Sequence, residues 1–219
     1  MIITIDGPSG TGKSTIAKRV ASVLGFAFFD TGAMYRALAW EILQKQISIE
    51  NATALKEVLN SFNFNIQEHA EGKRYSVNGI DVTDSIRTPV ISTKASEIAT
   101  LPVIRELLRD IQRKFAKNID AVFEGRDMGT VVFPNAEVKI FLTANVDVRS
   151  ERRFNEIIST SASLTREQVL QDLKERDERD STRKCAPLKK PLDAKEIDTS
   201  DLTIDEVVTL VLAYVKEKG

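Results

Sequence analysis

Gly7-Pro8-Ser9-Gly10-Thr11-Gly12-Lys13-Ser14 is the stretch on which the fold turns, because it fits G-x-x-x-x-G-K-[ST] at every position. Its glycines permit backbone conformations in which successive N–H groups point inward, as a phosphate cradle requires. Before it, residues 2–5 are a short apolar, β-branched run that reads as a buried parallel strand. After it, residues 13–24 have helical spacing. Ile16, Val20, Val23 and Leu24 are expected on one side, and Gly25 supplies the stop. A strand, a glycine-rich loop and a helix in that order aim a helix N-terminus at an anion. A glycine-rich turn that binds nothing needs neither the lysine nor the serine. Residues Gly7, Pro8, Ser9, Gly10, Thr11, Gly12, Lys13, Ser14 and Thr15 are therefore expected to hold ATP. In that reading Lys13 reaches the β- and γ-phosphates and the Ser14 hydroxyl binds Mg²⁺.

Outward from the loop, residues 26–29 read as a second strand and residues 33–44 as a second helix, the start of an α/β sheet. The pattern changes over residues 60–87. Phe62, Phe64 and Ile66 alternate with polar residues, and Tyr75 and Val77 lead into Asn78-Gly79, a strong hairpin turn signal, followed by Ile80-Asp81-Val82. A small antiparallel sheet is thus expected inside an α/β chain. Helical patterns return at 89–99 and 103–117, strands at 121–123 and 138–142, and helices at 146–158 and 166–183. The last of these is opened by a capping box, Thr165 with Gln168. Ser159 to Ser163 is polar and suits a lid. A short strand near Ile197 precedes a helix capped by Thr203 and Glu206.

The expected fold class is α/β: a three-layer phosphate-loop fold with a central parallel five-stranded sheet, a small inserted antiparallel subdomain and a short lid. The division expected along the chain is a core of residues 1–60, 88–152 and 165–219, an insert of 61–87 and a lid of 153–164.

The bulk numbers agree with a small-molecule enzyme. The 219 residues carry 31 Lys+Arg against 32 Asp+Glu, a balance that argues against bulk nucleic-acid binding. No run approaches the length of a membrane span and the N-terminus lacks a basic leader, so a cytoplasmic protein is expected, with a monomer as the default. The single cysteine, Cys185, excludes an internal disulfide and is read as incidental, and the lone histidine, His69, as a surface residue.

Three further blocks narrow the class. They are Asp30-Thr31-Gly32-Ala33-Met34-Tyr35-Arg36, Glu124-Gly125-Arg126-Asp127-Met128-Gly129-Thr130-Val131-Val132-Phe133-Pro134, and Glu175-Arg176-Asp177-Glu178-Arg179-Asp180. With the phosphate loop and the inserted sheet in the same order, nearly the whole chain resembles bacterial cytidylate kinase.

That resemblance implies transfer of the γ-phosphate of ATP to CMP or dCMP, with Mg²⁺. It implies an acceptor site of Thr31, Tyr35, Arg36, Ser96, Arg105, Arg126, Asp127, Arg176, Asp180 and Arg183. Ser96 and Arg105 match the pair that reads cytosine, Asp180 a carboxylate on the sugar hydroxyls, and Arg36 a phosphate holder. Some relatives have Ser in place of Thr31 and Asp in place of Glu124, and both swaps keep the chemical group.

Transfer between phosphates needs positioning and cations more than a base. Lys13, Arg126, Arg152 and Arg153 are the expected catalytic cations, the last two closing over the γ-phosphate, and Glu124 can orient a metal-bound water. Plainer readings exist. Asp180 and Arg176 at i,i+4 suit a surface ion pair, Thr31 and Ser96 suit helix caps, Tyr35 suits core packing, and Glu124 suits a structural acid. Rival activities are a kinase acting on UMP, AMP or a non-nucleotide such as shikimate, and a non-catalytic ATP-binding module.

Overall fold

The structure is a computed structural model, and it describes residues 1–69, 72–158 and 165–218. The segment expected to be a lid, Ser159 to Ser163, lies outside the described residues. The chain forms two compact units, Met1–Asp30 with Arg113–Gly219, and Thr31–Gln112. The expected insert of 61–87 falls within the second.

The first unit is built on a parallel sheet of five strands: β1 (Ile2–Asp6), β2 (Ala27–Asp30), β6 (Ala121–Gly125), β7 (Val138–Thr143) and β8 (Lys195–Asp198), in the order β2-β6-β1-β7-β8. β1 pairs Ile3 with Val122 on one side and with Val138 on the other. The phosphate loop therefore leaves the C-terminal edge of the central strand, where ligands of open α/β sheets bind.

Strand alternation explains the two faces. Ile3, Ile5, Val122, Ile140 and Leu142 pack with Ile16, Ala17 and Val20 of α1 (Lys13–Leu24) and with Val207, Val211 and Val215 of α8 (Ile204–Lys218). Residues of the other parity turn to the opposite face, where Phe29, Phe115, Phe123 and Phe133 form successive ring contacts with centroids 4.5–5.6 Å apart. The remaining helices of this unit are α6 (Val146–Ile158) and α7 (Arg166–Thr182), which pack on each other. The predicted capping box of α7 is present in both halves, and Thr203 is bonded to Glu206 as expected.

Two local expectations shift. Val23 is 64% exposed, because the buried stripe of α1 runs through Ile16, Ala17, Val20 and Ala21 and leaves Val23 to one side. Phe26 closes α1 and lies outside β2. Its N–H bonds to Ala21 O at 2.9 Å behind Gly25, which has φ 69°, a C-terminal motif that consumes the residue.

In the second unit, α2 (Thr31–Gln44), α3 (Ala52–Ser61), α4 (Pro89–Ile98) and α5 (Pro102–Phe115, whose last residues belong to the first unit) accompany the antiparallel strands β3 (Phe64–His69), β4 (Gly72–Val77) and β5 (Ile80–Asp81). The hairpin falls at Asn78-Gly79, with φ 51° and 83°. Both central residues need positive φ in that kind of turn. Helix α3 is additional to the elements read from the sequence. Asn51 caps it by accepting the Ala54 N–H at 3.1 Å, and the helix extends to Ser61, so Phe62 is its C-cap and the strand begins only at Phe64.

Candidate active site

Each glycine of the loop has a steric reason. Gly7 has φ 149°, and a Cβ there would stand 2.1 Å from Leu142 O in the neighbouring strand. A Cβ on Gly10 would meet Arg149 Cβ and O at 2.9 Å. Gly12, with φ 85°, is the N-cap of α1 and makes no side-chain cap, which leaves the first amides of the helix to a ligand.

Lys13 is folded back into the loop, its Nζ donating to Pro8 O at 2.6 Å and to Thr11 Oγ1 at 3.5 Å. Burial, then the charges of Arg126 and Arg176, pull its pKa down to about 7. Ser14 Oγ donates to Glu124 Oε1 at the end of β6. Burial, reinforced by Asp30, raises the Glu124 carboxyl above its ordinary range. Asp6 ends β1 and accepts the N–H groups of Met128 at 2.9 Å and Gly129 at 2.7 Å. Burial pushes its carboxyl up to about 7 in spite of those bonds.

The loop is braced from α6 and from the turn after β8. Arg149 donates to Ala144 O at 3.0 Å, to Ser9 O at 3.2 Å and to Asp177 Oδ2 at 2.5 Å. Thr199 Oγ1 donates to Thr11 O at 3.2 Å, and Arg152 donates in turn to Thr199 Oγ1 at 3.1 Å and Thr199 O at 2.6 Å. Arg153 instead pairs with Glu156 along α6 at 3.0 Å. Of the two arginines expected to close over the γ-phosphate, Arg152 is tied to the brace and Arg153 to its own helix.

Beside Lys13 stands a cluster of cations around one acid. Asp180 is 3% exposed, with Arg126 Nε 3.0 Å from its Oδ2 and Arg183 Nη1 3.5 Å from its Oδ1. Burial alone would raise the Asp180 carboxyl, but the charges of Arg126, Arg176 and Arg183 together hold it below its ordinary value. Arg183 also lies 3.8 Å from Asp127 and donates to Ala186 O at 2.8 Å. The expected residues Arg126, Asp127, Arg176, Asp180 and Arg183 are thus gathered in one place. Asp180 is far from being half of an exposed ion pair, which disposes of the surface reading.

The second unit holds the other expected group. Arg105, 6% exposed, donates from Nη1 to Ala99 O at 3.1 Å and carries its guanidinium 5.5 Å from the Tyr35 ring centroid. Tyr35 thus supports a charged fork as well as packing. Ser96 is buried inside α4, away from a cap position, and Arg36 is half-buried on α2. Thr31 is buried and is itself the first residue of α2, so the helix starts two residues before the expected residue 33.

Sequence reasoning missed Asp6, Arg149, Asp177 and Thr199. Asp177 lies inside a quoted block and Asp6 directly precedes Gly7, but the bonds that tie these residues into the site span 28 residues or more.

A family model described as cytidylate kinase matches residues 3–217. The chain belongs to the cytidylate kinase family. A cytidylate kinase of Protochlamydia amoebophila is 50% identical over 218 residues, covering 98% of this chain and 96% of that protein. One from Fervidobacterium nodosum is 46% identical, covering 99% and 96%. The fold also occurs outside close relatives of the cytidylate kinases. The crystal structure of an uncharacterized protein from Eubacterium ventriosum aligns with a TM-score of 0.53 at 16% identity, over 99% of this chain and 98% of that one.

Proposed function

We propose that the protein transfers the γ-phosphate of ATP to CMP or dCMP, giving ADP and CDP or dCDP. The observation that carries this reading is the cluster of Arg126, Arg176 and Arg183 around Asp180, set beside Lys13 of a complete phosphate loop. A protein that only bound ATP would have no use for a second set of guanidinium groups, half-buried at Arg126 and Arg176 and buried at Arg183, gathered around a buried acid.

The loop amides and the N-terminus of α1 take the donor phosphates, with residues Gly7 to Thr15 lining the strand-to-helix turn. Lys13 exchanges the Pro8 carbonyl for phosphate oxygens, a trade favoured because burial and the neighbouring arginines leave its ammonium poorly stabilised. Arg126 and Arg176 neutralise charge on the transferring group. Arg36 holds the acceptor phosphate, and Asp180 with Arg183 holds the sugar hydroxyls. Arg105, steadied on the Tyr35 ring, reads the cytosine edge with Ser96, and Thr31 and Asp127 flank the acceptor. Arg152 and Arg153 are the cations we assign to closure over the γ-phosphate, with residues 153–164 as the lid and 61–87 as the acceptor-binding insert. The attacking atom is already a phosphate oxygen, so geometry and charge carry the rate.

Mg²⁺ fits the donor set. The Ser14 hydroxyl and the Glu124 carboxylate lie in hydrogen-bond contact, a hard-oxygen pair of the partial kind that Mg²⁺ uses alongside nucleotide phosphates and water. When bound it supplies charge neutralisation on the phosphates. We further propose a place in pyrimidine nucleotide metabolism, in the cytoplasm, as a monomer. Among the described residues no helix is long and apolar enough to cross a membrane.

The test is acceptor-dependent ADP release from Mg·ATP with CMP, dCMP, UMP, AMP and GMP, using Lys13→Ala as control. Turnover with CMP and dCMP, weak with UMP and absent with purines, is expected. Turnover with AMP would discard the cytosine site, and none with any acceptor would discard the kinase. Light scattering at the 24.4 kDa monomer mass checks the assembly state.

A further inference from the structure

Asp6 joins two parts of the site that differ in origin. On its C-terminal side is Gly7, which cannot yield because a side chain there would overlap Leu142 O. Across the sheet edge its two carboxylate oxygens are each taken by a separate, consecutive amide, Met128 N–H at 2.9 Å and Gly129 N–H at 2.7 Å. A carboxylate gripping neighbouring amides in this way fixes both the position and the tilt of that peptide, since moving it breaks a charge-assisted bond.

The peptide it grips opens a turn that is also held at its far end, where Phe133 N–H bonds to Met128 O at 2.7 Å and Arg113 donates to Val132 O at 2.9 Å. Residues Met128–Val132 form a single wide turn in which the N–H groups of Val131 and Val132 share Asp127 O, at 2.9 and 3.1 Å. Gly129 is pressed from the other side as well. A Cβ there would lie 3.0 Å from both Pro191 Cγ and Thr4 Oγ1. Arg126 and Asp127 immediately precede the gripped peptide, and Arg126 is the cation bonded to Asp180.

A buried acid is an expensive way to hold a loop. Asp6 is 1% exposed, Asp127 adds repulsion, and only the two amides and Lys13 offset the loss of water. A neutral side chain would be cheaper if filling space were the whole task. We infer that Asp6 is a positioning residue for phosphoryl transfer, the pin that sets the Arg126–Asp127 segment against the phosphate loop. The inference rests on the proposed reading of Arg126 and Asp127 as acceptor-side groups. In this role Asp6 touches neither nucleotide and acts through the peptide at Met128–Gly129.

The experiment is Asp6→Asn with two readouts. An asparagine of the same shape keeps one acceptor but turns an NH₂ toward the second amide, leaving that donor unsatisfied. Acceptor kcat/KM is expected to fall by roughly 10- to 100-fold, the equivalent of one lost hydrogen bond to a charged group. The ATP dissociation constant, measured with a fluorescent analogue, should stay within about threefold. The second readout is amide hydrogen exchange in the wild-type protein. Met128 and Gly129 should be protected as strongly as residues of β1, and in the variant at least one of them should lose that protection.

An acceptor kcat/KM within about threefold of wild type would overturn the inference, as would losses of equal size on the ATP and acceptor sides. So would fast exchange at Met128 and Gly129 in the wild type, which decides the matter even if Asp6→Asn does not fold. Failure of the proposed function itself would look different. It would appear as absent CMP turnover by the wild-type enzyme, whatever the two amides do.

Discussion

Replacing Asp180 by asparagine removes one charge and almost no volume, which makes it the sharpest probe of the arginine cluster. In the native protein the carboxylate lies 3.0 Å from Arg126 and 3.5 Å from Arg183, with its side chain 5% exposed. Removing one partner of a buried ion pair costs about 3–5 kcal/mol, because the charges left behind are unpaired. The structure argues for the lower end. Arg183 retains Ala186 O at 2.8 Å and Asp127 at 3.8 Å, and Arg126 retains Gly125 O at 3.2 Å. The expected loss is therefore about 3 kcal/mol at neutral pH, or about 6–12 °C in Tm for a chain of this size.

The pH profile gives an independent check. The folded-state pKa of Asp180 lies below its ordinary value of 3.8, so the stabilising contribution is fully present above that value. It is lost as pH falls through the depressed folded value. Wild type should therefore lose its advantage over Asp180→Asn below about pH 4, where the two curves converge. Urea unfolding followed by circular dichroism between pH 3 and 8 measures both. A cost under about 1 kcal/mol, or curves that stay parallel into acid, would refute the electrostatic account of this cluster.

Three other outcomes are expected. Gly7→Ala should abolish cooperative folding or cost more than about 4 kcal/mol, since the methyl carbon would lie 2.1 Å from a strand carbonyl at a φ of 149°, as thermal melting will show. Lys13→Met keeps the length of the side chain without its charge. It should lower kcat by about a thousandfold or more in the coupled ADP assay while the far-ultraviolet spectrum stays that of the folded protein. Arg105→Lys removes the planar fork that bonds Ala99 O and lies over Tyr35, and should raise the CMP KM about tenfold with the ATP KM unchanged in the same assay.

What could be read from the sequence was whatever is encoded within a few residues. The phosphate loop, the capping box at Thr165 and the Asn78-Gly79 turn each carry their signal locally, and each stands where expected. Local reading failed where one local rule overrode another. The alternation of Phe62, Phe64 and Ile66 is real, and the Phe62 and Phe64 rings lie 6.3 Å apart, but Asn51 starts a helix whose end claims Phe62 before the strand begins.

The bracing of the site failed to appear for a different reason. Arg149 reaches Ser9 across 140 residues, Asp6 reaches Met128 across 122, and Ser14 reaches Glu124 across 110. No periodicity records such pairings. Yet the strands do mark the places where they occur. β1 is apolar except for Thr4 and Asp6, β6 except for Glu124, and β7 is broken by Lys139, whose Nζ ties Pro134 O at 2.6 Å to Asp193 at 2.7 Å. A polar or charged residue inside a strand with both faces covered must find a partner or forfeit several kcal/mol. Three of these four side chains find partners and hold a loop or a group of the site, while the fourth, Thr4, lies against Gly129 with its hydroxyl unbonded among the described residues. In a fold of this type the interruptions of the apolar runs therefore point to the supports of the site, and the glycine-rich loop to what they support.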